Sequence, residues 1–168
     1  KMTKASLNKI LKRELYKAIY MKKEKYTTSP NVMENINKFN RLTSFVIEDI
    51  LSYDFAKDRA KMIDKWVHIC DYLRIRKDYN DCLAIYAALN SYIITGLRST
   101  LKEVKSKTNS LIKNLGEFCT CEGNYKNIRI DMKNAIENGD VFVPYLGMIL
   151  RDITFLEEKE KYINDKGL

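Results

Sequence analysis

The stretch VPYLGMILRDITFLEE, residues 143–158, decides how this chain is read. It opens apolar around a proline, then sets charged and polar residues at 151, 152, 154, 157 and 158. At 100° per residue, Tyr145, Leu146, Ile149, Leu150, Ile153 and Leu156 occupy one broad arc of a helix. Gly147, Arg151, Thr154 and Glu158 fall on another arc, spaced four, three and four apart. One side of such a helix packs on a protein body. The other offers a small residue, a cation, a hydroxyl and a carboxylate in a row. Pro144 suits a first helical turn, where a missing N–H costs nothing. Glu158, near the far end, opposes the helix dipole by roughly 0.3 kcal/mol. On periodicity alone, an amphipathic surface helix with a wet polar face is the expected reading.

Working outward, 168 residues suggest one domain with a real core, since a chain of this size buries roughly 70% of its unfolded surface. Six glycines and two prolines leave few turn signals, which argues for helices joined by short loops and against a sheet of short strands. The spacing of Leu7, Ile10, Leu11, Leu15 and Ile19 predicts a helix over residues 3–25, broken around Pro30. Further helices are predicted at 32–52, 57–75, from about 80 to 90, 93–104, 108–118 and 125–137. In the 57–75 helix, Met62, Trp66, Ile69, Cys70 and Leu73 form the expected apolar stripe, with His68 inside it as a structural histidine. Asn80 or Asp81 is the expected cap of the next helix, whose stripe is Leu83, Tyr86, Ala87 and Asn90. CTCEGN at 119–124 reads as a loop, and the glycine of ENGD as a helix stop. The expected fold class is all-α: a helical bundle of about eight helices with a projecting helix at the C-terminal end.

Several chemistries find no support. No phosphate-binding glycine loop, no HExxH and no acidic calcium loop occurs. Cys119 and Cys121 are one residue apart, too close for a paired structural zinc site, so Cys70, Cys82, Cys119 and Cys121 read as free thiols of an intracellular chain. Neither a metal nor another cofactor is expected. The net charge of +8 invites a nucleic-acid reading, but the lysines are scattered among 22 acids along the chain, and solvated helix faces account for them. No nucleic-acid partner is expected, and no apolar run is long enough to span a membrane.

Four motifs then coincide. VPYLGMILRDITFLEE resembles the signature of the catalytic domain of Ras-type guanine-nucleotide exchange factors. INKFNRLTSFVIEDIL (36–51), DYNDCLAIYAALNSYIITGL (78–97) and GNYKNIR (123–129) resemble three further segments of that family, in the same order and spacing. The resemblance covers residues 36–158 and treats 1–168 as a single domain of this type. It departs from the family at EEKEK (157–161), where the hairpin turn usually carries glycine, asparagine and proline. Phe45 stands in place of a frequent tryptophan, and Arg151 in place of a common threonine. The family's second hairpin helix and closing helix have no counterpart in these 168 residues, so a fragment or a minimal version is expected.

The resemblance implies an all-helical exchange factor that binds a Ras- or Rap-like small GTPase and releases its nucleotide without covalent chemistry. The 144–158 helix would enter beside the nucleotide site and move switch 1 aside. Arg151, Thr154 and Glu158 would face the magnesium and α-phosphate region, with Glu158 as the competing acceptor. Ile36, Asn37, Asn40, Leu83, Asn90, Tyr125 and Tyr145 would hold switch 2. The resemblance also implies a cytoplasmic protein that reaches a membrane surface through its partner or flanking domains. The alternative is a non-catalytic docking module of the same fold.

Overall fold

The structure is a computed structural model that describes residues 2–165, with side-chain environments over 5–160. Its helices are α1 (Met2–Leu7), α2 (Lys12–Leu15), α3 (Lys25–Thr28), α4 (Pro30–Leu51), α5 (Ala56–Ile75), α6 (Tyr79–Leu89), α7 (Tyr92–Thr95), α8 (Arg98–Glu103), α9 (Ser106–Cys119), α10 (Glu122–Glu137) and α11 (Leu146–Asp165). A 3-10 segment, Tyr16–Met21, lies between α2 and α3. No strand occurs among the described residues; one isolated bridge joins Asp78 and Val143. The all-α expectation holds, with more and shorter helices than expected. The chain divides into two compact units, residues 1–38 with 145–168, and residues 39–144.

In the first unit the core is a cluster of Tyr20, Val32, Leu146 and Leu150, with Leu7, Ile10, Leu15, Ala18, Ile36 and Ile153 packed around it. The helix expected over 3–25 is instead α1, α2, the 3-10 segment and α3. Leu7, Ile10 and Leu15 reach the cluster by bending, whereas Leu11 stays 44% exposed, and Lys17 and Ala18 adopt left-handed backbone φ angles of +49° and +48°. Glu14 explains part of the break. It is almost fully buried, and its carboxylate accepts from the Asn31 amide at 2.8 Å, the Asn31 side chain at 2.6 Å and the Val32 amide at 3.1 Å. It therefore caps the start of α4, where orphan N–H groups need acceptors. Pro30 is no mere breaker: it occupies the first position of α4.

In the second unit α5 and α6 make the most extensive contact, and α8 and α9 pack on α5. α6 is buried nearly all round, so its sequence shows no clean stripe: Tyr79, Cys82, Leu83, Ala84, Ile85, Ala88 and Leu89 are all buried, while Ala87 is exposed. The cap of α6 is neither Asn80 nor Asp81 but Asp78, which accepts from the Asp81 amide at 3.1 Å. On α5 the buried set is Ala60, Ile63, Trp66, Val67 and Cys70. The expected stripe was rotated from it, and Met62, Ile69 and Leu73 are only half-buried. His68 is a correction: it faces outward with its side chain 53% exposed, 3.6 Å from Asp64 one turn earlier. The region 93–104 splits into α7 and α8 around Gly96. Three thiols are buried, with Cys70 and Cys82 sulfurs 3.6 Å apart, and Cys121 is exposed. No helix of the described residues is long and apolar enough to cross a membrane.

Candidate functional site

The motif residues of the second unit are Asn40, Leu83, Asn90 and Tyr125. Thr43 lies one turn after Asn40 on α4 and donates to the carbonyl of Ala84 at 3.1 Å. That bond fixes α4 against α6 beside Leu83 and brings the exposed Asn40 to the same edge. Leu83 itself is 6% exposed, so most of its side chain is core. Asn90 terminates α6, its amide bonded to the Tyr86 carbonyl at 2.9 Å. Its side chain borders a cavity of about 250 Å³ walled by Ile63, Leu89, Ile94, Leu101 and Leu115. Asn109 lines it too, and an apolar recess bordered by fixed amides is what an anchoring side chain of a partner requires.

Tyr125 is placed by an unusual backbone. Gly123, Asn124 and Tyr125 all lie in the left-handed region, at +57°, +56° and +61°. Only glycine adopts this freely, so the two non-glycine residues carry a conformational cost of about 1 kcal/mol each. Arg129 holds the turn by donating to the Asn124 carbonyl at 2.7 Å. The loop expected at 119–124 is thus a tight turn, and regular helix begins only after Tyr125. α10 packs on α9, and it also meets α6, where the Tyr79 hydroxyl donates to Asp131 at 2.7 Å.

The first unit holds Ile36, Asn37, Tyr145, Arg151, Thr154 and Glu158. Ile36 packs against the core cluster, and Asn37 beside it is half-buried. Regular helix starts at Leu146, so Pro144 stands outside it and does not occupy the first turn. The half-buried Tyr145 folds over Gly147: a Cβ added there would sit 2.4 Å from the Tyr145 hydroxyl. Gly147 is therefore needed for a close approach, which its place on the polar arc did not reveal.

Along α11 the two arcs are less cleanly divided than periodicity suggested. Leu146 and Leu150 are buried, but Leu156 is 66% exposed. Met148, on neither arc, is buried. Arg151 is exposed, with its guanidinium 5.4 Å from the Phe155 ring centre, and Glu158 is exposed too. Thr154 is half-buried: its hydroxyl lies 3.0 Å from Tyr20 Oη and can donate to the Leu150 carbonyl at the same distance. Burial pushes the Tyr20 phenol up, the Thr154 bond works against that, and Glu157 adds to it. Sequence reading missed Tyr20 and the bond from the Lys17 amide to Glu157 at 3.0 Å. Their partners are at least 130 residues away, and no local pattern marks them.

The sequence model of the RasGEF domain matches residues 2–168. The chain belongs to the RasGEF domain family. Relatives of this RasGEF chain include mouse Ras-specific guanine nucleotide-releasing factor 1, 34% identical over 149 residues, and mouse Ras-specific guanine nucleotide-releasing factor 2, 35% identical over 149 residues. Each alignment covers 89% of this chain and 12% of the relative. Ras guanine nucleotide exchange factor K of Dictyostelium discoideum is 36% identical over 130 residues, covering 77% of this chain and 8% of that protein. The RasGEF chain therefore spans about an eighth or less of the length of these relatives.

Proposed function

We propose that the protein is a guanine-nucleotide exchange factor that binds a Ras- or Rap-like small GTPase and promotes GDP release by inserting α11 beside the nucleotide site. The observation that carries this reading is the fold of residues 146–158 as one helix, with Arg151 and Glu158 exposed on the motif's polar edge. A carboxylate brought next to the α-phosphate position repels the nucleotide's phosphates and competes for its magnesium and backbone donors. No bond need be made or broken. The switch 2 contacts fall to two groups: Asn40, Leu83, Asn90 and Tyr125 in one unit, and Ile36, Asn37 and Tyr145 in the other. Nucleotide and exchange factor weaken each other's hold on the GTPase by the same factor, as linkage requires. Incoming GTP then ends the complex.

Thr154 gives a second reading its support. Its hydroxyl is already engaged within the chain, and a helix whose polar edge is partly used internally suits a docking module that holds a GTPase without opening it. Release of a fluorescent GDP analogue from a panel of Ras-family GTPases separates the two. Acceleration that saturates with added protein supports exchange. Binding without acceleration supports docking, and absence of both overturns the reading.

A further inference from the structure

The segment Tyr16–Met21 grips α11 at two levels. At the lower level the buried Tyr20 donates its hydroxyl to the Leu150 carbonyl at 2.7 Å and meets the Thr154 hydroxyl at 3.0 Å. The Met21 sulfur lies 3.4 Å from the same hydroxyl. About one turn further along α11, the Lys17 amide donates to Glu157 at 3.0 Å. Positions 150 and 157 are about 10 Å apart along a helix. Two fixed points at that separation set both the tilt of α11 and its rotation about its own axis.

The backbone that makes this grip is strained. Lys17 and Ala18 are consecutive non-glycine residues in the left-handed region, and such conformations persist only where surrounding contacts over-determine them. Here the left-handed turn aims the Lys17 N–H at Glu157 and brings Tyr20 back under Leu150. Glu158, the residue after the upper fixed point, is exposed, as are Lys159 and Glu160. Glu157 is the last half-buried residue before the exposed run 158–160, so the grip ends next to Glu158.

We infer that Tyr20, with the Lys17 turn, is a positioning residue of the exchange reaction: it clamps α11 at Leu150, Thr154 and Glu157 and so fixes where Arg151 and Glu158 point. This rests on the exchange reading above. Tyr20 is 6% exposed, so its role is exerted through α11. The Thr154 hydroxyl is used from inside, as part of the clamp.

The test is Tyr20→Phe, which removes the hydroxyl and leaves the ring among Val32, Leu146 and Leu150. GDP release from a responsive Ras-family GTPase is measured against exchange-factor concentration. Hydrogen exchange of the α11 amides and the unfolding midpoint are measured in parallel. The maximal release rate should fall about tenfold with the half-saturating concentration unchanged, and amides at 154–160 should exchange faster. Thr154→Val added to Tyr20→Phe should lower the rate no further, because both act through one contact. A Tyr20→Phe protein with wild-type maximal rate overturns the inference while leaving the exchange reading intact. So does a loss of rate matched by general destabilisation and by exchange rising across the whole chain. A wild-type protein that accelerates release from no GTPase overturns the exchange reading and this positioning role with it. Exchange confined to α11 or not then decides whether the clamp exists.

Discussion

Replacing Glu14 should unfasten α4. The carboxylate accepts four hydrogen bonds, three from the amides of Leu11, Asn31 and Val32 and one from the Asn31 side chain. Hydrogen bonds to a charged group contribute about 1.5–3 kcal/mol each, but bonds sharing one carboxylate do not add. Loss of a helix cap alone costs about 1–2 kcal/mol. Glu14→Ala removes the cap and leaves buried donors without acceptors, so we expect a loss of about 3 kcal/mol. For a chain of this size that lowers the unfolding midpoint by roughly 6–12 °C. Glu14→Gln keeps the shape but puts an NH₂ where an acceptor stood, and should cost about 1–2 kcal/mol. The pH dependence gives an internal control. Burial by itself raises the Glu14 pKa, but the Asn31 side chain and the three amides outweigh it and hold the group below its ordinary value near 4.5. A lowered folded-state pKa stabilises the fold above pH 4.5, and that stabilisation is lost as pH falls through the folded value. The wild-type advantage over Glu14→Gln should thus be full at pH 7 and shrink below pH 4.5. Urea unfolding followed by circular dichroism at pH 7 and pH 4 measures it. A Glu14→Ala protein within 0.5 kcal/mol of wild type at pH 7, the usual range for surface changes, would refute the capping argument.

Asp78 should behave in the opposite sense: burial first, and Asp81 beside it, push its pKa from 3.8 to about 6, so the folded state is penalised above pH 6 and relieved as pH falls toward 3.8. That displacement would correspond to about 3 kcal/mol for a fully shielded carboxyl and about 1 kcal/mol for this partly exposed one. Asp78→Asn keeps the cap acceptor, so urea unfolding should show a gain of about 1 kcal/mol at pH 7.5 that vanishes near pH 4. Gly147→Ala gains helix propensity of about 1 kcal/mol but must displace the Tyr145 ring; its thermal midpoint should hold while affinity for a nucleotide-free GTPase drops several-fold in a pull-down titration. Glu158→Ala should slow fluorescent-GDP release more than it weakens docking, whereas Tyr125→Ala should weaken docking; equal docking losses in both would count against the separate roles.

Much of the helical content was legible because burial on one side imposes a repeat of 3.6 residues. α4, α5, α9 and the regular part of α10 begin and end within about two residues of where apolar spacing and turn residues put them. Legibility failed where that premise failed. α6 is buried on most sides, so its real stripe could not be picked from its false one, and its cap fell to Asp78 over two equally plausible neighbours. The N-terminal 25 residues carry a helical pattern, yet contacts with Asn31, Leu150 and Glu157 outweigh local preference and bend the chain into short pieces.

The candidate site divides in the same way. The residue types and spacing along 143–158 were enough to place Arg151 and Glu158 on one edge of a helix, because both facts follow from the geometry of a single element. That Thr154 is held by Tyr20, that Gly147 admits the Tyr145 ring and that Glu157 bonds the Lys17 amide were decided only by tertiary structure. The first and third depend on groups more than 130 residues apart, and the second on a side-chain rotamer. The sequence by itself determined the all-α class and the polar edge of α11, since local periodicity carries them. The three-dimensional structure alone decided which of those polar groups are already spent within the chain, since hydrogen-bond partners are chosen by distance in space.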